Sequence, residues 1–128
     1  MLYLRKRLKD FILYGKIKII TNKTEQPMKK VRITAVRRTV YPDLIEKYET
    51  PIEHACDTVI GSVWVSENGK RPDGLCESAW DSMRPFVNVL AHGGGNFYDG
   101  WMKDPKSAMI SCNDGFRTVS FYVEVIDE

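Results

Sequence analysis

Ser107-Ala-Met-Ile-Ser-Cys-Asn-Asp-Gly-Phe-Arg-Thr-Val-Ser-Phe-Tyr-Val-Glu-Val-Ile126 is the stretch that decides the fold. From Phe116 onward, Val119, Phe121, Val123 and Val125 fall at every other position, the period at which the side chains of a strand share one face. Ser107 to Cys112 reads as a partner strand, and Asn113-Asp-Gly115 between the two supplies turn chemistry. Asp-Gly tolerates the positive φ that a two-residue turn needs, so the pattern predicts an antiparallel hairpin.

Upstream, Val31-Arg-Ile-Thr-Ala-Val-Arg37 alternates apolar with polar and is rich in β-branched residues, which predicts a half-buried first strand. Thr39 to Pro42 reads as a turn, with Asp43 as the cap of a short helix through Leu44, Ile45 and Tyr48 that Pro51 bounds. Thr58-Val-Ile-Gly-Ser-Val-Trp-Val65 is the second strand candidate, with Gly61 as a bulge, and Glu67 to Gly74 is dense in turn residues. Cys76, Ala79, Trp80, Met83, Phe86, Val87 and Leu90 step by three and four, the mark of an amphipathic helix. Pro85 lies inside it and predicts a kink, or two short helices in place of one. The expected fold is α+β: a small antiparallel or mixed sheet of about four strands, with one main kinked helix packed on it.

The 128 residues suit a single domain, and with 43% apolar and 28% charged residues they match ordinary globular chains. Charge is uneven. Seven cations face only Asp10 and Glu25 before Met28, a balance of +5, whereas twelve cations face fifteen acids from Met28 on, a balance of −3. A mildly acidic body without a basic stripe is a poor match for nucleic acid, whose phosphates need clustered cations.

Residues 1–28 therefore read as a basic N-terminal extension, and residues 29–128 as the α+β domain. Leu4, Leu8, Phe11 and Ile12 recur at helical spacing among Arg5, Lys6, Lys9 and Lys16, so residues 1–20 suit a short amphipathic helix at a membrane surface or on a partner. The alternative is a poorly ordered extension upstream of a natural start at Met28, and that reading is preferred. The apolar run is too short and too broken by Lys16 and Lys18 to span a bilayer, and no small-residue cleavage site follows it.

Four strings, Leu75-Cys-Glu-Ser-Ala-Trp80, Ala91-His-Gly-Gly-Gly-Asn-Phe97, Trp101-Met-Lys-Asp-Pro105 and Cys112-Asn-Asp-Gly-Phe-Arg-Thr-Val119, resemble those of a family of small, functionally uncharacterised prokaryotic proteins of about one domain. The resemblance covers roughly Met28 to Ile126. It implies a domain boundary and no activity. The chain departs from the family pattern in having Cys56-Asp57 where relatives carry Cys-Pro, and Ser111 where they carry a second cysteine. Those departures weaken any role that needs the family's full cysteine set.

Cys56, Cys76 and Cys112 are odd in number and lack close CxxC spacing, which speaks against a secreted disulfide framework and for a cytoplasmic setting. Together with His54 or His92 they could form a thiolate-rich site for zinc or iron, yet structural zinc ligands usually come in pairs two to four residues apart. No metal is favoured on that ground, and free cysteines commonly serve as small buried hydrophobes. A nucleophilic thiol is the second chemistry, with Cys76 at the expected helix start, His92 as base and Asp104 or Asp114 as orienter.

His92 with Gly93, Gly94 and Gly95 reads either as a backbone cradle for an anion or as a helix stop, the stop being favoured. A loop that spends Phe97, Tyr98, Trp101 and Met102 within a few residues must cap the core or line a pocket. Trp80, His92, Phe97 and Trp101, with Lys103, Asp104 and Arg117 as the polar groups, are the candidate lining of a ligand site. The expectation is a small-molecule or peptide binding module that uses region 92–105. The alternatives are a cysteine- or metal-dependent enzyme centred on Cys76, Cys112 and His92, and an interaction module or homo-oligomer that covers Trp101.

Overall fold

The computed structural model describes residues 27–53 and 55–126, so the basic residues before Pro27 and His54 lie outside the described residues. In chain order the elements are β1 (Lys30–Val40), α1 (Pro42–Tyr48), β2 (Val63–Ser66), α2 (Glu77–Ala91), β3 (Ser107–Ser111) and β4 (Arg117–Ile126). The strands form one sheet in the order β2-β1-β4-β3, with every neighbouring pair antiparallel. The fold is thus α+β, as the alternating and helical periods predict.

The alternation of β1 and β4 puts Val31, Ile33, Ala35, Val119, Phe121 and Val123 on one face, all essentially inaccessible to solvent. α2 covers that face with Ala79, Trp80, Met83, Val87, Leu90 and Ala91. Burying each of the larger of these side chains is worth about 1.5–3 kcal/mol, which makes this single layer contact the main support of the domain. α1 buries nothing and is held by a bidentate pair between Arg117 and Glu49, at 3.0 and 3.1 Å, and by Tyr41 N–H donating to the Phe116 carbonyl.

α2 is one continuous helix through Pro85, not two short ones. Proline deprives the Asp81 carbonyl of its helical donor, but Asp81 and Pro85 both lie on the exposed side of the helix, away from the core. The predicted Thr39–Pro42 turn contracts to Tyr41, because β1 stays paired as far as Val40 opposite Arg117. Pro42 then opens α1 from its first position, and Asp43 lies within the first turn instead of capping it.

The second strand also starts later than predicted. Gly61, at φ +99°, turns the chain, its N–H donates to the Ala35 carbonyl, and β2 begins only at Val63. The bulge predicted at Gly61 lies across from it, in β1, where the register against β4 slips between Ala35 and Arg37 and leaves Val36 as the extra residue. The hairpin between β3 and β4 forms, but Asp114 and Gly115 keep negative φ. The Asp114 carboxylate organises the loop instead, accepting from the N–H groups of Phe116 and Arg117 at 2.8 and 3.2 Å.

Candidate functional site

Cys56, Cys76 and Cys112, separated in sequence by 20 and 36 positions, converge on one partly enclosed cavity of about 170 Å³. Ala79, Val119 and Phe121 form its apolar surface, and Thr58, Ser78 and Asp114 its polar edge. An engineered apolar cavity of about 150 Å³ holds benzene, whereas drug-sized ligands occupy about 300–1,000 Å³. The enclosed space therefore fits a molecule, or part of one, of few heavy atoms.

Three separate elements bring the thiols there. Cys56 lies in the segment between α1 and β2, Cys76 is the residue at which α2 begins, and Cys112 follows β3. Cys56 and Cys76 are exposed and so are not small buried hydrophobes, whereas Cys112 is half-buried and packs against the core. The walls carrying Cys76 and Cys112 are tied together by Asn113, whose amide donates to the Ser78 carbonyl at 3.1 Å and accepts from the Ser82 hydroxyl at 2.7 Å.

Arg38 reaches the site because of the bulge at Val36. Ala35 stands opposite Phe121 and Arg37 opposite Ser120, so Arg38 falls opposite Val119 and on the buried face, where an unbroken strand would have pointed it away. Its guanidinium donates to the Thr58 carbonyl at 2.8 Å and to Cys56 Sγ at 3.5 Å, while Thr58 N–H donates to the same sulfur at 3.4 Å. Burial opposes ionisation of Cys56, but the bonds from Thr58 and Arg38 outweigh it and hold the thiol below its ordinary value. Cys112 Sγ instead accepts the Val119 N–H at 3.3 Å.

Comparison of the chain with protein-family models, curated proteins and solved structures finds no match. The chemistry of the site therefore has to be read from its own residues.

Of the predicted catalytic group, Cys76, Cys112 and Asp114 come together and His92 does not. His92 caps the far end of α2, and at 1.5 Å of rise per residue the helix separates it from Cys76 by about 24 Å. Its ring nitrogen Nδ1 lies 2.8 Å from the Asn88 carbonyl, Gly93 takes φ +91°, and the N–H groups of Gly93 and Gly94 return to Leu90 and Val89. That is the predicted helix stop, in the double-bonded form with glycine just past the cap.

The predicted loop lining is scattered. Trp80 is buried in the core, Phe97 packs edge-on against Phe86 at 5.0 Å, and Arg117 is committed to Glu49. Asp104 accepts the Lys106 N–H, and Lys103 is exposed. Trp101, 43% exposed, meets Tyr98 edge-on at 5.2 Å, and Tyr98 is 74% exposed. Among the described residues no three His, Cys, Asp or Glu side chains are arranged to hold a metal ion, and none of the helices is long and apolar enough to cross a membrane.

Sequence reasoning missed Arg38, Thr58, Ser78 and Asn113. Arg38 carried no signal, because the bulge that redirects it has no glycine to mark it. Asn113 was visible only as a turn residue.

Proposed function

We propose that the chain is a small-molecule binding module whose ligand site is the cavity between Cys56, Cys76 and Cys112. One observation carries this reading: the three cysteines of the chain, from three distant segments, share a space whose remaining walls are mainly apolar. Apolar surface supplies affinity and the few polar atoms supply orientation, the usual division of labour in ligand pockets. Three free thiols also fit a reducing, cytoplasmic setting, and the resemblance to a prokaryotic family is proposed on the strings given above.

Disulfide capture of small thiol-bearing fragments under partly reducing conditions, read by intact mass, tests the site. Aromatic and aliphatic fragments of about benzene size should be retained on the native chain over charged ones. Ser78→Phe, which projects a ring into the cavity, should erase that preference. Capture that ignores fragment chemistry and is the same in native and urea-unfolded chain would overturn the reading.

A second reading has its own observation, the exposed Tyr98–Trp101 pair. Aromatic side chains held rigid at a surface are the residues that peptide and protein contacts favour. On that reading region 92–105 binds a peptide segment or a second copy of the chain.

A further inference from the structure

We propose that the cavity is a thiol redox site in which Cys56 attacks a hydroperoxide and Cys76 resolves the product into an intramolecular disulfide. The inference rests on the cavity reading and adds its chemistry.

Three features of the geometry distinguish the roles. Cys56 alone has two donors directed at its sulfur, the Thr58 N–H and the cationic Arg38 guanidinium, which is the environment that stabilises a thiolate. Cys76 begins α2 with no hydrogen bond from its side chain to the helix, so its sulfur is uncommitted and exposed. Cys112 is already engaged by the Val119 N–H and is the least exposed of the three.

The local structure around the thiols also differs. α2 and the β3–β4 loop are braced by Asn113, whereas Cys56 lies in a segment that has neither helix nor strand between Tyr48 and Val63. A disulfide requires Cα atoms within about 7 Å, and a coil segment adjusts to that more readily than a helix start does. The lining also has room for a peroxide, which needs little more space than two waters.

The steps balance. The Cys56 thiolate attacks the terminal oxygen of a hydroperoxide and breaks its O–O bond, displacing hydroxide from HOOH or alkoxide from a small ROOH; the products are the sulfenic acid and, once the leaving group takes up a proton, water or ROH. The Cys76 thiol then attacks that sulfur, the S–S bond forms, and the sulfenic oxygen leaves as a second water. Two electrons pass from the thiol pair to the peroxide. Two equivalents of a low-molecular-weight thiol restore both cysteines and leave as their disulfide.

The test uses the reduced full chain and hydrogen peroxide, with thiol loss followed in time and bridges mapped by non-reducing peptide mass spectrometry. The expected result is an intramolecular Cys56–Cys76 bridge. Cys56→Ser should lose at least about tenfold in rate, down to that of N-acetylcysteine, because the activated thiolate is gone. Cys76→Ser should halt at a Cys56 sulfenic acid that dimedone traps. A wild-type rate no faster than N-acetylcysteine, a bridge that contains Cys112, or bridges only between chains would overturn the inference. Fragment capture separates the two proposals: retention of apolar fragments alongside a slow peroxide reaction sinks the redox step alone, and loss of both sinks the cavity reading with it.

Discussion

At its C-terminal end α2 stops on a glycine in the left-handed region, the N–H groups of Gly93 and Gly94 return to the Leu90 and Val89 carbonyls, and Lys29 N–H serves Ala91. At its N-terminal end it starts on Cys76 without a side-chain cap and is braced by Asn113, 35 residues beyond Ser78. One end is closed by local chemistry, and the other is assembled from remote segments and holds a cavity. The closed end has the sharper sequence signature and the scattered candidate residues. The assembled end has the weaker signature and the convergent ones. The stop at Gly93 is made by local bonds, and Lys106 Nζ meets the Gly93 and Gly94 carbonyls just beyond it; the start at Cys76 has no such local closure, and other segments meet there.

The largest effect should come from disturbing the closed end. A Cβ on Gly95 would lie 2.5 Å from the Pro105 carbonyl oxygen and 3.1 Å from the Lys106 side chain, at the point where Asn96 N–H donates to the same carbonyl. The obstruction is backbone and cannot rotate away. Gly95→Ala should therefore cost about 1–3 kcal/mol in urea denaturation, the usual range for overpacking, while thiol reactivity in the surviving native fraction stays at the wild-type level. Altered reactivity would mean that the two ends of α2 are coupled.

Asn113→Ala should do the reverse. It removes exposed hydrogen bonds to Ser78 and from Ser82, so the stability loss should be only about 1 kcal/mol. The wall that carries Cys112 would be released from the wall that carries Cys76. Alkylation of Cys112 by iodoacetamide should rise several-fold, and an unchanged rate would show that the hairpin itself, not the brace, fixes that wall.

The same contrast explains what was legible in the sequence. Periods of two and of three to four residues gave the sheet face and α2, because burial on one side imposes them wherever the element sits. The helix stop at Gly93 was legible because both its bonds are local. The convergence of Cys56, Cys76 and Cys112 was not, since it depends on which strand neighbours which, and the order β2-β1-β4-β3 cannot be read from any one segment. Spacing alone argued against the three acting together, and pairing Cys76 with His92 failed because the full length of α2 lies between them. The loop aromatics misled for a related reason: Phe97 completes the core, and only Tyr98 and Trp101 are left facing outward.

Arg38 is the smallest perturbation and the most informative one, because it reaches Cys56 only through the bulge at Val36. The Cys56 thiol is held below its ordinary value near 9, so its ionised form is favoured in the folded chain. A depressed value gives a stabilising contribution that is complete above the unfolded thiol value and fades as pH falls through the folded one. In Arg38→Gln the bond and charge from the guanidinium vanish, while Thr58 N–H still donates to the sulfur. The midpoint of Cys56 alkylation against pH should accordingly move up toward that of an ordinary thiol without reaching it. A midpoint that does not move would assign the whole depression to Thr58, and the bulge would then matter for packing alone. Arg38→Lys discriminates further: it keeps the charge but loses the planar fork that lets one guanidinium serve both the Thr58 carbonyl and the sulfur, so it should recover only part of the shift.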